Sequence, residues 1–150
     1  MGVSVDSGGK GGKKSVNADL NLVPSTASRD QLEELGMPNL ELWPRGVDAQ
    51  QFHPGRRSDV LRDEVMATDG EVLVGYVGRI KDYIWLDVVR AVADRLERGT
   101  VVLVGDTSID LSALDHPRIE LLGQRPADTM PAYIGSFDCC LIPFVVDGLT

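Results

Sequence analysis

A chain of 150 residues has the length of one ordinary domain and can bury enough apolar surface to fold without staples. Hydrophobic residues make up 43% and charged residues 25%, which excludes collagen-like and broadly disordered classes. Acidic residues outnumber basic ones 23 to 15, giving a formal charge of −8, and this argues against nucleic acid as a partner, since phosphate contacts need Lys and Arg in excess.

Residues 1–16 hold the run Gly8-Gly9-Lys10-Gly11-Gly12-Lys13-Lys14 and lack apolar periodicity, so a flexible Gly/Lys-rich tail is expected there. The run is not a phosphate loop. Lys14 follows Lys13 where Ser or Thr belongs, Ser7 stands in the first glycine's place, and no strand precedes it. From Asn17 a strand is predicted over Leu20–Val23, stopped by Pro24, then a helix over Ala27–Leu35 with Ser25 or Thr26 as cap and Gly36 as its close. A second strand, Leu40–Trp43, leads into the loop Pro44-Arg45-Gly46-Val47-Asp48, and a helix is predicted near Asp59–Ala67. Val72–Val77 is apolar and β-branched, the mark of a strand buried on both faces.

Trp85, Val88, Val89, Val92 and Leu96 recur at helical spacing, and that helix should end near Gly99. Val101–Val104 reads as another buried strand, and Ile119–Leu122 follows it after a short helical or loop segment. A last helix is predicted over Pro126–Ile134, capped by Asp128 or Thr129 with Pro131 in its first turn, and Cys139–Pro143 as the final strand. Strands alternating with helices at this spacing predict an α/β fold, a Rossmann-like parallel sheet with crossover helices. The chain reads as a tail (1–16), a strand-helix-strand segment (17–45) and a truncated Rossmann-like domain (46–150).

The two adjacent cysteines, Cys139 and Cys140, cannot form a disulfide framework and no CxxC pair suggests zinc, so no metal is expected; in an apolar run they read as small buried hydrophobes. No apolar stretch reaches the length of a membrane span, and no secretory segment opens the chain. The expected location is cytoplasmic, free or peripheral at the inner membrane face. His53 and His116, each followed by proline, read as surface loop residues.

Ligands of an open parallel sheet bind beyond the carboxyl ends of its strands. That rule selects Arg45-Gly46-Val47-Asp48, Gly78-Arg79-Ile80-Lys81, Gly105-Asp106-Thr107, Gly123-Gln124-Arg125 and Val145-Val146-Asp147. Arg79 and Lys81 could hold a diphosphate by charge together with helix N–H groups, or could be a solvated pair at a helix entrance. Gly105-Asp106 could turn the chain toward a nucleotide or be a plain turn. Gly75-x-x-Gly78 lacks the opening of a dinucleotide fingerprint.

In this order the segments resemble the nucleotide-sugar half of retaining GT-B glycosyltransferases of the group 1, family 4 type. Leu22-Val23-Pro24-Ser25-Thr26-Ala27-Ser28 is similar to the family's crossover, and Arg45-Gly46-Val47-Asp48 with Phe52-His53-Pro54 to its Gly-Val-Asp run. Val74-Gly75-Tyr76-Val77-Gly78-Arg79 resembles its first Rossmann strand and phosphate loop. The resemblance implies that Arg79 and Lys81 clamp the donor diphosphate, although the family places its lysine further on, after a Pro-Glu. It implies that Gly78, Gly105, Asp106, Gly123, Gln124 and Arg125 border the donor, and that Asp147 stands at the first glutamate of an E-x7-E motif.

The implied function is transfer of a hexosyl group from a nucleoside-diphosphate sugar to a hydroxyl of a glycan or lipid-linked acceptor, without a cofactor. The family's acceptor domain and second glutamate fall outside these 150 residues, so the chain by itself is expected to be inactive. A nucleotide-binding or interaction module without transfer chemistry, and a GT-B epimerase of nucleotide sugars, are the alternative readings.

Overall fold

A computed structural model describes residues 3–5, 18–56 and 58–146 of the chain, which divide into two compact units, one running to Val47 and the next starting at Asp48. The first unit holds β1 (Val3–Val5), β2 (Leu20–Val23), α1 (Thr26–Glu34) and β3 (Leu40–Leu42), in a parallel sheet ordered β1-β2-β3. Ser25 caps α1 by accepting the backbone N–H of Ser28 at 3.1 Å, and Gly36 closes it with φ of 75°, a value suited to glycine. Asn21 is buried, and its side-chain amide donates to the carbonyl of Pro38 at 2.9 Å, tying β2 to the turn before β3.

The flexible tail assigned to residues 1–16 needs correction at its start. Val3–Val5 form a strand in register with Leu20–Leu22, because Val-Ser-Val is β-branched and alternating while the glycines and lysines beyond it dominate the composition. The Gly/Lys run itself lies outside the described residues.

The second unit carries α2 (Val60–Glu64), β4 (Val72–Val77), α3 (Leu86–Arg95), β5 (Gly99–Val104), β6 (Ile119–Gly123), α4 (Met130–Ser136) and β7 (Cys139–Cys140). Its four strands are all parallel in the order β6-β5-β4-β7, so the chain steps outward from β4 through β5 to β6 and returns to the other side of β4. The reversal puts a topological switch point between β4 and β7, the place where open α/β sheets gather ligands.

Alternation with period two separates the residues of β4 and β5 onto two faces. Val74, Tyr76, Val101 and Leu103 join Val89 and Ala93 of α3 in one core. Leu73, Val102 and Val104 join Leu61 of α2 and Tyr133 and Phe137 at α4 in the other. Both faces of the sheet are covered, which accounts for the continuous apolar runs of β4 and β5. Each fully buried Leu or Val contributes about 1.5–3 kcal/mol relative to leaving it exposed.

The strands β4 and β6 fall where periodicity places them; α1 is displaced by one residue, and α2 and α4 are shorter than predicted. α2 stops at Glu64 because Val65 and Met66 leave the helical region, Met66 with φ of 51°. The predicted last helix opens as a 3-10 turn over Ala127–Thr129, and the Thr129 hydroxyl donates backward to the Pro126 carbonyl instead of capping α4. The final strand holds only Cys139 and Cys140, since Pro143 has no N–H to offer a ladder. Both cysteines are exposed, which overturns their reading as buried hydrophobes: β7 is an edge strand whose outer side has no neighbour among the described residues.

Candidate functional site

The carboxyl ends of β4, β5 and β6 enclose a depression of about 200 Å³ lined by Val77, Gly78, Arg79, Val104, Gly105, Asp106, Gln124, Arg125 and Met130. The N–H of Gly78 donates to Val104 at 2.9 Å, that of Gly105 to Gly123 at 2.8 Å, and that of Ile80 to Asp106 at 2.9 Å, so the three strand ends continue pairing into their loops. Gly105 has φ of 152°, and a Cβ there would lie 1.9 Å from the carbonyl oxygen of Gly78. Only glycine permits that approach of the two turns.

Arg79 stands at the rim. Its side chain is 65% exposed and its Nε lies 3.4 Å from Oδ1 of Asp106. Two tyrosines hold its backbone: the hydroxyls of Tyr76 and Tyr83 donate to its carbonyl at 3.0 and 3.1 Å. Burial pushes the Tyr76 hydroxyl above its ordinary pKa, and the neighbouring Tyr83 adds to the shift, so Tyr76 remains a donor. Tyr83 is fixed in turn by an edge-to-face contact with Phe144, ring centroids 5.5 Å apart. The backbone of Tyr83, Ile84 and Trp85 pairs with Pro143, Phe144 and Val145, joining the segments that follow β4 and β7.

Arg125 is engaged within the protein. It forms an ion pair with Glu64 at 2.5 Å and donates to the carbonyl of Leu122, and Glu64 accepts a second bond from the Tyr133 hydroxyl at 2.5 Å. The hydrogen bond from Tyr133, then that from Arg125, hold the Glu64 carboxyl below its ordinary pKa. Burial and the neighbouring Glu64 push the Tyr133 hydroxyl up. About 30% of the Arg125 and Glu64 side chains stays accessible, so solvent screens the pair only in part.

The structure thus brings together six of the residues singled out from the sequence: Gly78, Arg79, Gly105, Asp106, Gln124 and Arg125. Gly123 lies just below, as the acceptor for Gly105. Lys81 is half-buried and does not line the depression; its carbonyl accepts from Ile84 at 2.9 Å. Asp147 lies outside the described residues. Glu64, Tyr76, Tyr83 and Tyr133 escaped sequence reasoning. Glu64 meets its partners across 61 and 69 residues of chain, a separation no local pattern reports.

His53 is exposed, with Nδ1 accepting from Gly55 at 3.1 Å. His116 is not the free surface residue expected of a loop. Its side chain is only 12% exposed, with Nε2 3.2 Å from Asp94 of α3 and Nδ1 accepting from Arg118 at 3.1 Å. Among the described residues no three His, Cys, Asp or Glu side chains are placed to hold a metal ion, and no helix is long and apolar enough to cross a membrane.

No protein-family model matches the chain. Over 125 residues, 81% of the chain, it is 41% identical to a GDP-mannose-dependent alpha-mannosyltransferase of Mycobacterium tuberculosis, of which this stretch is 32%. It is 35% identical over 85 residues to an enzyme of the same description from Corynebacterium glutamicum, covering 57% of the chain and 20% of that protein. To the sulfoquinovosyl transferase of Arabidopsis thaliana it is 37% identical over 95 residues, 59% of the chain and 18% of that enzyme. The chain therefore spans about a third or less of these relatives.

Among solved structures, sucrose-phosphate synthase from Thermosynechococcus elongatus superposes with a TM-score of 0.71 at 21% identity, over 87% of this chain and 36% of that one. HepE of Anabaena, in complex with UDP and glucose, gives a TM-score of 0.65 at 21% identity over 82% and 37% of the two chains. At such identity these likenesses establish the fold.

Proposed function

We propose, from the premise that the chain belongs to the GT-B glycosyltransferases, that its second unit binds the nucleoside-diphosphate part of a sugar donor in the depression above β4, β5 and β6. The observation that carries this reading is the pairing of two glycines in the lining, Gly78 and Gly105, with the exposed guanidinium of Arg79. Backbone that close can receive a polyanion without side-chain obstruction, and a guanidinium offers two parallel charge-assisted bonds to phosphate oxygens.

The reaction is transfer of the glycosyl group to a hydroxyl of a glycan or lipid-linked acceptor with retention at the anomeric carbon. The bond from that carbon to the diphosphate oxygen breaks, its electron pair leaves with the nucleoside diphosphate, and the acceptor oxygen takes its place as its proton is released. Negative charge grows on the departing diphosphate, and in this reading the Arg79 guanidinium offsets that charge. Because Arg79 supplies the cation, no metal ion is invoked. Lys81, outside the depression, is assigned a lesser share.

The relatives named for GDP-mannose and the UDP-bound neighbour support a nucleoside diphosphate as the ligand class. Calorimetric titration of the 150-residue chain with GDP and with UDP, each with and without chelator, tests the reading. At least one should bind, with chelator leaving its affinity unchanged; binding of neither would overturn it.

A further inference from the structure

Gln124 and Arg125 line the depression from a segment whose hold on the protein is narrow. Leu121, Gly123, Gln124 and Pro126 are all exposed, and Gly123 turns the chain with φ of 67°. The segment is fastened by the Arg125 guanidinium, which donates to the carbonyls of Leu122 and, at 3.4 Å, Gln124, and whose second terminal nitrogen is paired with Glu64. Glu64 itself is rigidly based. It ends α2, whose Leu61 is fully buried, and its other oxygen is held by Tyr133, 6% exposed in α4. Two helices packed on the core thus grip one loop through a single carboxylate.

A guanidinium already neutralised by a carboxylate at 2.5 Å is poorly placed to serve as a phosphate clamp. Phosphate falls instead to Arg79, at the end of β4. The loop after β6 lies two strands away from it, about 10 Å by ordinary interstrand spacing. That is the separation between a diphosphate and the base of the same nucleotide, and the loop offers an amide, Gln124, and a thioether, Met130.

We propose that Glu64, with Tyr133 behind it, is a positioning residue that sets the β6–α4 loop through Arg125 and so governs how the nucleobase is bound. The inference rests on the donor-site reading above and adds to it a residue that never touches the ligand. A merely structural carboxylate would, on removal, weaken every ligand alike. A positioning carboxylate weakens only the base's share.

The test compares inorganic pyrophosphate, which lacks a base, with the tighter of GDP and UDP, by calorimetric titration of wild type, Glu64→Ala and Tyr133→Phe. In wild type the nucleotide should bind at least tenfold tighter than pyrophosphate. In Glu64→Ala that ratio should fall at least fivefold while the affinity for pyrophosphate stays within twofold. Tyr133→Phe, which loses one hydroxyl and keeps the ring in the core, should lower the ratio two- to threefold and guards against a folding failure in the first variant. Glu64→Gln should restore part of the ratio. Equal losses for both ligands, an unchanged ratio in both variants, or a wild-type ratio of one would overturn the inference while leaving the donor site standing. Failure of wild type to bind either ligand would remove the donor reading itself, and this inference with it.

Discussion

The ring of Phe137 packs against the α-carbon of Gly75, so closely that a Cβ at position 75 would lie 2.2 Å from two of its ring atoms. Gly75 is thus the socket in β4 for the residue that ends α4, and no larger residue fits without moving the ring or the strand. Gly75→Ala should destabilise the fold by about 1–3 kcal/mol, the range for overpacked cores. Urea denaturation measures it, and a second change, Phe137→Leu, should return part of the loss. Additive losses in the double variant would show that the two residues do not share a socket.

Gly105→Ala should damage both fold and ligand binding, because the added methyl would meet the Gly78 carbonyl at 1.9 Å and φ of 152° does not suit alanine. Backbone strain of this kind costs about 1–3 kcal/mol, and overpacking adds to it. Thermal melting should show the instability, and titration with the nucleotide that wild type binds should show the loss of affinity. A variant with wild-type melting would mean that the two turns can separate freely.

Arg79→Ala should weaken nucleoside-diphosphate binding by ~1.5–3 kcal/mol, the range for hydrogen bonds to charged groups, with melting unchanged because the side chain is 65% exposed. Lys81→Ala should cost less, since Lys81 does not line the depression. Asp106→Asn should act in the opposite direction. It removes an internal anion 3.4 Å from the Arg79 guanidinium, so a diphosphate no longer competes for that charge. Calorimetry on the three variants checks the order Asp106→Asn, wild type, Lys81→Ala, Arg79→Ala from tightest to weakest.

Acid should erase the contribution of Glu64. Its carboxyl is held below the ordinary glutamate range, first by the hydrogen bond from Tyr133 and then by that from Arg125. A depressed carboxyl stabilises the fold above its unfolded pKa and loses that effect as pH falls through the folded value. The melting advantage of wild type over Glu64→Gln should therefore be constant from pH 7 down to about 5 and shrink below pH 4.5. An advantage that held undiminished at pH 3 would show that the carboxyl's charge is not what ties Arg125.

Much of this is legible in the sequence itself. Val72–Val77 and Val101–Val104 are apolar on both faces because helices cover both, and a run of β-branched residues reports that directly. Arg79, Gly105 and Asp106 could be picked out because the strand-end rule needs only strand boundaries. Glu64 could not, since its meaning comes from a loop 61 residues away. Cys139 and Cys140 were misread because an apolar run looks the same whether its strand is central or at an edge. Val3–Val5 were missed because three residues weigh little beside a glycine-lysine tract.

Backbone bonds between the strand ends separate what shapes the depression from what chooses its contents. The bonds from Gly78 to Val104 and from Gly105 to Gly123 use no side chain, so replacing Arg79, Asp106 or Gln124 leaves that scaffold standing. Selectivity becomes a rim property, adjustable one exposed side chain at a time with little effect on folding. A library randomised at positions 79, 106 and 124 should keep most of its members folded while spreading widely in the anions they prefer. The same scaffold is a starting point for engineered receptors of other phosphorylated metabolites.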